Sequence, residues 1–345
     1  MSTPSVPLLE VSGLEIRVPG GDRPFEVVRG ASLTVDRGEI VGLVGESGSG
    51  KSLTALAILG LVPPPGRVVG GRILLDGRDL RGLSERALRS VRGARIGLVF
   101  QEPMAALNPV LTLETQICEA IRAHRPPGGA GVRVSARAAR ARALELLELL
   151  AIPDPLRRLG EYPHQLSGGQ RQRAMLAIAL AAGPELLIAD EPTTALDVTL
   201  QAQVLELLER LRRELGLAIL LITHDLAVVA ESCDRVLVMY AGEIVEAATA
   251  GQLFAQPAHP YARALLASIP VLGHPAPRGE LPAIPGQVPP ADRLPSGCVF
   301  EPRCDVRIDR CRGERPAWVE LGGAGGERGA RCLRLPGLLE SQGRR

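Results

Sequence analysis

With 345 residues, 46% of them apolar, the chain can bury a large α/β core plus a smaller appendage, and its formal net charge of +2 gives no global reason to expect nucleic-acid binding. No apolar run reaches the roughly 18 residues a membrane span needs, and Met1 to Leu9 carries no basic segment leading into an apolar one, so a span and a signal peptide are not expected. Lys51 is the only lysine among 40 basic residues. The arginines between Arg133 and Arg142, and Arg210, Arg212 and Arg213, read as solvated helix surface.

Residues 8 to 44 alternate short apolar runs with turns: Leu8 to Val11, Leu14 to Val18, a Pro/Gly-rich loop from Pro19 to Pro24, then Phe25 to Val28 and Leu33 to Val35. This pattern predicts an antiparallel β layer leading into a central strand at Glu39 to Val44. Next comes Gly45-Glu46-Ser47-Gly48-Ser49-Gly50-Lys51-Ser52, which fits the phosphate-loop pattern G-x-x-x-x-G-K-[ST] without mismatch, and then Leu53 to Leu59, an apolar segment of helix type. Backbone N–H groups of such a loop turn toward phosphates, Lys51 reaches the β/γ-phosphates and the Ser52 hydroxyl ligates Mg²⁺. An arginine bias that spares this position is intelligible, because the loop needs a compact ammonium and not a planar fork.

Residues 72 to 80 hold the turn signal Asp76-Gly77, and Arg95 to Phe100 is the next strand, ending at Gln101. From about Glu102 to Gln165 the pattern is helical, with segments at Leu113 to His124 and Ala136 to Leu150 joined by the Pro/Gly-rich stretch 126–131. Leu144, Leu147 and Leu150 mark an apolar face of the second. This region reads as a helical subdomain inserted into the α/β core. Strands return at Leu186 to Ala189, Ala218 to Ile222 and Val236 to Met239, in the manner of a parallel sheet, with a helix from Thr199 to Leu215 between the first two. Proline and glycine rise after Gln256, and the tail from about residue 270 reads as an irregular module held by its cysteines. The expected division is 1–255 for the nucleotide-binding domain and 256–345 for the extension.

Two further stretches carry chemistry. Leu186 to Glu191 is an apolar strand ending in two carboxylates; after a phosphate loop, Asp190 is placed to hold Mg²⁺ and Glu191 to polarise a water. Leu166-Ser167-Gly168-Gly169-Gln170 opens a helix and offers a second anion site through its glycine N–H groups. In a soluble chain, Cys298, Cys304, Cys311 and Cys332 read as a metal site sooner than as disulfides. Their C-x₅-C-x₆-C-x₂₀-C spacing matches neither short-spaced zinc ribbons nor ferredoxin runs, so a cluster, zinc and unligated thiols all stay open.

With these motifs in order, residues 8 to about 335 resemble the ATP-binding subunits of ABC transporters. Gly45 to Ser52 is similar to Walker A, Leu166 to Gln170 to the signature motif, and Leu186 to Glu191 to Walker B. Gln101 resembles the Q-loop, Ala195-Leu196-Asp197 the D-loop and His224 the switch histidine. Phe100 to Pro109, Tyr162-Pro163-His164-Gln165, His259-Pro260-Tyr261, Ile284 to Pro289 and Gly297 to Cys304 resemble the dipeptide/oligopeptide permease branch. The resemblance implies a P-loop NTPase fold of the ABC type, with an antiparallel β layer, an inserted helical subdomain and a small irregular Cys-containing module.

The resemblance also implies an ATP-hydrolysing importer subunit at the cytoplasmic face of the membrane. Its partners are a second, paralogous ATPase subunit, two transmembrane permeases and, indirectly, a solute-binding protein, with no nucleic acid. Peptides are the implied solute, with nickel chelates as an alternative and a soluble ABC ATPase of DNA repair or translation as the rival class. The implied residues are Glu191, His224 and Lys51 for catalysis; Gly45, Ser47, Gly48, Gly50, Lys51, Ser52, Gln101, Ser167, Gly168, Gly169, Gln170 and Asp190 for nucleotide; Ser52, Gln101 and Asp190 for Mg²⁺; and the four C-terminal cysteines for a [4Fe-4S] cluster. The family's adenine-stacking aromatic falls at Val18, with Phe25 as its substitute. Tyr162 and His164 read as helix-packing residues.

Overall fold

The computed structural model describes residues 6–20, 24–100, 106–124, 134–194, 196–269, 283–322 and 328–335. They form two compact units, Met1–Leu8 with Val35–Glu39 and Asp76–Ile222, and Leu9–Thr34 with Ile40–Leu75 and Thr223–Arg345. In chain order the strands are β1 (Leu9–Val18), β2 (Phe25–Val35), β3 (Ile40–Val44), β4 (Arg67–Leu75), β5 (Arg78–Asp79), β6 (Ile96–Val99), β7 (Leu186–Asp190), β8 (Ala218–Thr223), β9 (Arg235–Tyr240), β10 (Glu243–Thr249), β11 (Val319–Glu320) and β12 (Gly329–Ala330).

In the second unit β1 lies between β2 and β4, antiparallel to β4 from Leu9 opposite Leu75 to Arg17 opposite Arg67. The two apolar runs predicted before Pro19 are one strand. Leu9 and Val11 are buried and then Leu14 and Ile16, because register shifts between Ser12 and Ile16 move the buried phase by one residue. A sheet segment in the order β3, β9, β10, β12, β11 follows. β3 and β9 are parallel, and all five residues of β3 are buried, as expected for a strand covered on both faces.

β10 is the strand that the sequence pattern hides. It runs antiparallel to β9 and is buried nearly throughout, although it contains Glu243 and Glu246. Glu243 pairs with Arg29 and Arg315 at 3.2 and 2.6 Å. Glu246, fully buried, accepts the backbone N–H groups of Ala258 and His259 at 2.8 and 2.7 Å. Glu246 is thus matched by hydrogen-bond donors and Glu243 by two guanidinium charges, which makes both tolerable in buried places.

In the first unit β6, β7 and β8 are parallel neighbours. Glu185, just before β7, bridges Arg95 and Arg37 at 2.6 and 2.7 Å. The helices Leu113–Ala123, Ala136–Leu149 and Gly168–Ala179 pack against one another. Thr112 and Ser135 cap the first two, each accepting the N–H three residues on. The buried face of Ala136–Leu149 is Ala139, Ala143, Leu146 and Leu147, with Leu150 just beyond; Leu144 is half-buried. Tyr162 and His164 do not pack a helix: both are exposed and stack on each other, centroids 5.7 Å apart.

The cysteine expectation is corrected. Cys298, Cys304, Cys311 and Cys332 are all described and all free, and among the described residues no group of three or more His, Cys, Asp or Glu could hold a metal ion. Cys298 and Cys311 sit in an apolar cluster with Tyr240, Tyr261 and Phe300, while Cys332 packs beside Ala258, Ala330 and Leu335. Burial pushes the Cys298 thiol up to about 12 and Cys304 to about 11, and raises Cys332. The iron–sulfur and metal-binding expectation, with zinc as its variant, is therefore withdrawn. The region is held instead by its aromatic cluster and by the Glu246 contacts.

Burial lifts the Glu246 carboxyl from 4.5 to about 7, against the two backbone N–H groups that favour its ionised form. Because the folded value lies above the unfolded one, the folded chain holds its proton longer. Stability is then fully present below about pH 4.5 and falls as pH rises through 7, by about 1–3 kcal/mol. Chemical denaturation of the wild type and Glu246→Gln between pH 5 and 8 should show this loss in the wild type and a flatter dependence in the variant.

Candidate functional site

β3 leads into the loop Gly45 to Gly50, and the helix Lys51–Ile58 leaves it. Two glycines are sterically required. A Cβ on Gly45 would collide with the Met239 carbonyl oxygen, and Gly50, at φ +102°, would place one 3.0 Å from Met239 Cε and 3.1 Å from Val27 O. Gly50 caps the helix without a side chain, so no cap oxygen takes up the first-turn N–H groups, and they and the positive helix end form an anion site. The loop is tied down by Gly242 N–H to Ser49 O at 2.9 Å and by Thr54, whose N–H and hydroxyl both donate to Gly50 O at 2.9 Å.

Lys51 is buried, 5% exposed, and its Nζ donates to Gly45 O at 2.7 Å and Glu46 O at 3.0 Å. The ammonium is thereby held on the loop it serves. Ser47, Gly48 and Ser52 are exposed. The same unit contains His224, exposed just past β8. Asp225 beside it donates its N–H to Thr223 Oγ1 at 3.0 Å and caps the helix Leu226–Ser232 through Ala227 N–H at 2.8 Å. Val18 ends β1 and Phe25 opens the neighbouring β2, both half-buried.

In the other unit β7 ends at Asp190, in register with Ile222, and Glu191 follows in the left-handed region at φ +48°. For a glutamate this is a strained backbone conformation. Its N–H donates to Ile222 O at 2.8 Å, and its Oε2 accepts the Thr194 hydroxyl at 2.8 Å. Thr194 was not singled out from the sequence; its place three residues after Glu191 is the signal that could have found it. Asp197 caps the helix Val198–Leu215 by accepting Leu200 N–H at 2.9 Å.

Ser167 begins the helix Gly168–Ala179 with a capping box: its Oγ accepts Gln170 N–H at 3.3 Å and its N–H donates to Gln170 Oε1 at 3.0 Å. Gln170 is thus used to fix Ser167, which stays exposed. Gln101 and Ala195 lie outside the described residues, as do Glu102, Pro103, Met104 and Ala105.

A glycine-tight loop between a buried strand and a helix, with a buried lysine folded onto it, defines a nucleoside-triphosphate-binding protein. Residues 28–194 match the family model described as ABC transporter, and residues 245–311 match the one described as oligopeptide/dipeptide transporter, C-terminal region. A probable peptide ABC transporter ATP-binding protein of Sinorhizobium fredii is 50% identical over 91% of this chain and 92% of its own length. The dipeptide transport ATP-binding protein DppD of Escherichia coli is 48% identical over 90% and 92%. Among solved structures, the dimeric MJ0796, a bacterial ABC transporter cassette, is 31% identical with a TM-score of 0.60, over 70% of this chain and 98% of its own; its post-hydrolysis form bound to ADP and Pi gives 30% and 0.61.

The chain belongs to the ATP-binding subunits of ABC transporters, in the dipeptide/oligopeptide permease family. It has the α/β cassette fold with mixed sheets, its nucleotide is ATP and it is an ATPase. No helix among the described residues is long and apolar enough to cross a membrane.

Gly50→Ala forces a side chain into a loop that has no room for it. ATP affinity measured by calorimetry should fall by about tenfold or more, with a loss of about 1–3 kcal/mol in stability.

Proposed function

We propose that the chain is the subunit whose ATP hydrolysis drives uptake of dipeptides or oligopeptides through separate membrane permease subunits, acting at the cytoplasmic face. The observation that carries the ATP half is the Lys51 ammonium held on Gly45 O and Glu46 O inside the phosphate loop. The solute half is supported by the peptide-transport relatives at about half identity over nearly the whole chain, and by the match of residues 245–311.

In this reading Lys51 and the loop amides at Gly45, Ser47, Gly48 and Gly50 bind the phosphates and stabilise charge that develops on them. Glu191, oriented by Thr194, aligns or deprotonates the attacking water, and His224 reads the γ-phosphate. The residues that would hold Mg²⁺ in this reading all offer oxygens: the exposed Ser52 hydroxyl in the first helical turn of one unit, the Asp190 carboxylate at the end of β7 in the other, and Gln101, outside the described residues; a hard donor set of this kind fits that ion. When bound it would supply charge neutralisation at the β- and γ-oxygens.

The Ser167-Gly168-Gly169 helix start, in which Ser167 is exposed and is set by Gln170, is assigned to the nucleotide of a second, paralogous ATPase subunit. The dimeric cassette among the solved relatives supports that arrangement. A shared nucleotide acts as a link between subunits and is lost on hydrolysis. Two permease subunits and a solute-binding protein complete the assembly, and the helical subdomain, together with Gln101, which lies outside the described residues, is the docking surface for the permeases.

Glu191→Gln should bind ATP like the wild type while turnover falls by about 100-fold or more. In proteoliposomes carrying permeases and binding protein, wild type should import labelled peptide with ATP and the variant should not. Wild-type turnover in the variant would remove Glu191 from its role, and ATP turnover indifferent to peptide would remove the solute.

A further inference from the structure

The phosphate-loop motif leaves position 46 unspecified, yet Glu46 is the most firmly held residue of the loop's exposed edge. Its backbone N–H donates to the Tyr261 hydroxyl at 2.9 Å, and both its carboxylate oxygens accept Arg303 Nη1, at 2.9 and 3.1 Å. Its carbonyl accepts Lys51 Nζ. One residue therefore links the phosphate-binding ammonium to two side chains that lie more than 200 positions downstream.

Both partners are built in. Tyr261 is fully buried and the Arg303 side chain is 5% exposed. Arg303 also donates Nε to Pro285 O at 2.8 Å and Nη2 to Ile284 O at 3.3 Å, and its guanidinium lies 5.8 Å from the Tyr240 ring centroid. Tyr240, Tyr261 and Phe300 pack with centroids 4.6 to 5.3 Å apart, which fixes the hydroxyl that receives the Glu46 N–H. Burial, and then the Glu46 carboxylate, push the Tyr261 phenol well up, so it stays protonated.

A carboxylate in a phosphate loop is a liability, since it repels the polyanion the loop binds. The same carboxylate paired with a buried guanidinium is neutralised and fixed in one place. We infer that Tyr261 and Arg303 are positioning residues for the nucleotide, acting through Glu46, so that the C-terminal region sets both the shape and the charge of the phosphate loop. This rests on Gly45 to Ser52 being the ATP phosphate site. Because the clamp sets the charge and shape that the phosphates meet on binding, while Lys51 and the loop amides face the charge that develops in the reaction, the clamp governs affinity more than the chemical step.

The test is steady-state ATP hydrolysis and ATP binding by the full-length chain. Arg303→Met should raise KM for ATP about tenfold with kcat within about twofold, and Tyr261→Phe, which removes a single hydroxyl, should raise KM about threefold. Adding Glu46→Gln to Arg303→Met should recover most of the lost affinity, because no unpaired carboxylate remains beside the phosphates; a purely structural role for Arg303 would not be rescued this way. Should Arg303→Met not fold in thermal denaturation, Tyr261→Phe decides. An unchanged KM in Tyr261→Phe, a fall in kcat at constant KM, or no recovery in the double variant would each overturn the inference. Full ATP affinity in Lys51→Ala would instead overturn the phosphate site itself.

Discussion

The structure depends on an ammonium buried in a loop that has no room for a side chain. Lys51 can sit at 5% exposure because Gly45 O and Glu46 O receive its Nζ. Those carbonyls can converge only because Gly45 passes against the Met239 backbone and Gly50 takes a φ of +102°. An unpaired buried ammonium costs several kcal/mol, so the loop's shape and its lysine require each other. A phosphate arriving at the helix start meets donors already assembled, and the ordering has been done by folding.

The second theme is the use of acidic residues in buried places. Glu243 and Glu246 stand on a covered strand, and each joins β10 to a distant segment: Glu243 to Arg29 and Arg315, Glu246 to the backbone at Ala258 and His259. From that anchored turn the chain proceeds directly to Tyr261, and Tyr261 reaches Glu46. Buried carboxylates that gain little net energy still fix which segments meet. Here they fix the C-terminal region against β10 and the loop that follows β3, within one compact unit.

The elements that carry the motifs were legible because the motifs place particular residues at short spacing on a strand, a turn or a helix start. The phosphate loop, the acidic end of β7, the capped Ser167 helix and the strands β3, β7, β8 and β9 all stand where the motifs put them. β10 was not legible, since Glu243 and Glu246 break its apolar run and only tertiary partners make them tolerable. The cysteines were misread for a related reason. Four thiols in a Pro/Gly-rich tail suggest ligands by composition, whereas the fold buries Cys298 and Cys311 among aromatic rings as small apolar groups. Tyr261 and Arg303 reach Glu46 through contacts that no local pattern encodes, whereas Thr194 meets Glu191 at a spacing of three residues.

The lysine that the arginine bias spared also gives the most direct test. With lysine labelled by ¹⁵N at Nζ, the side-chain spectrum of the full chain holds a single ammonium signal, that of Lys51. Titration with ATP should shift this signal saturably as Nζ exchanges the Gly45 and Glu46 carbonyls for phosphate oxygens, at the same midpoint that calorimetry gives for ATP. A signal that stays in place at saturating ATP would contradict the account.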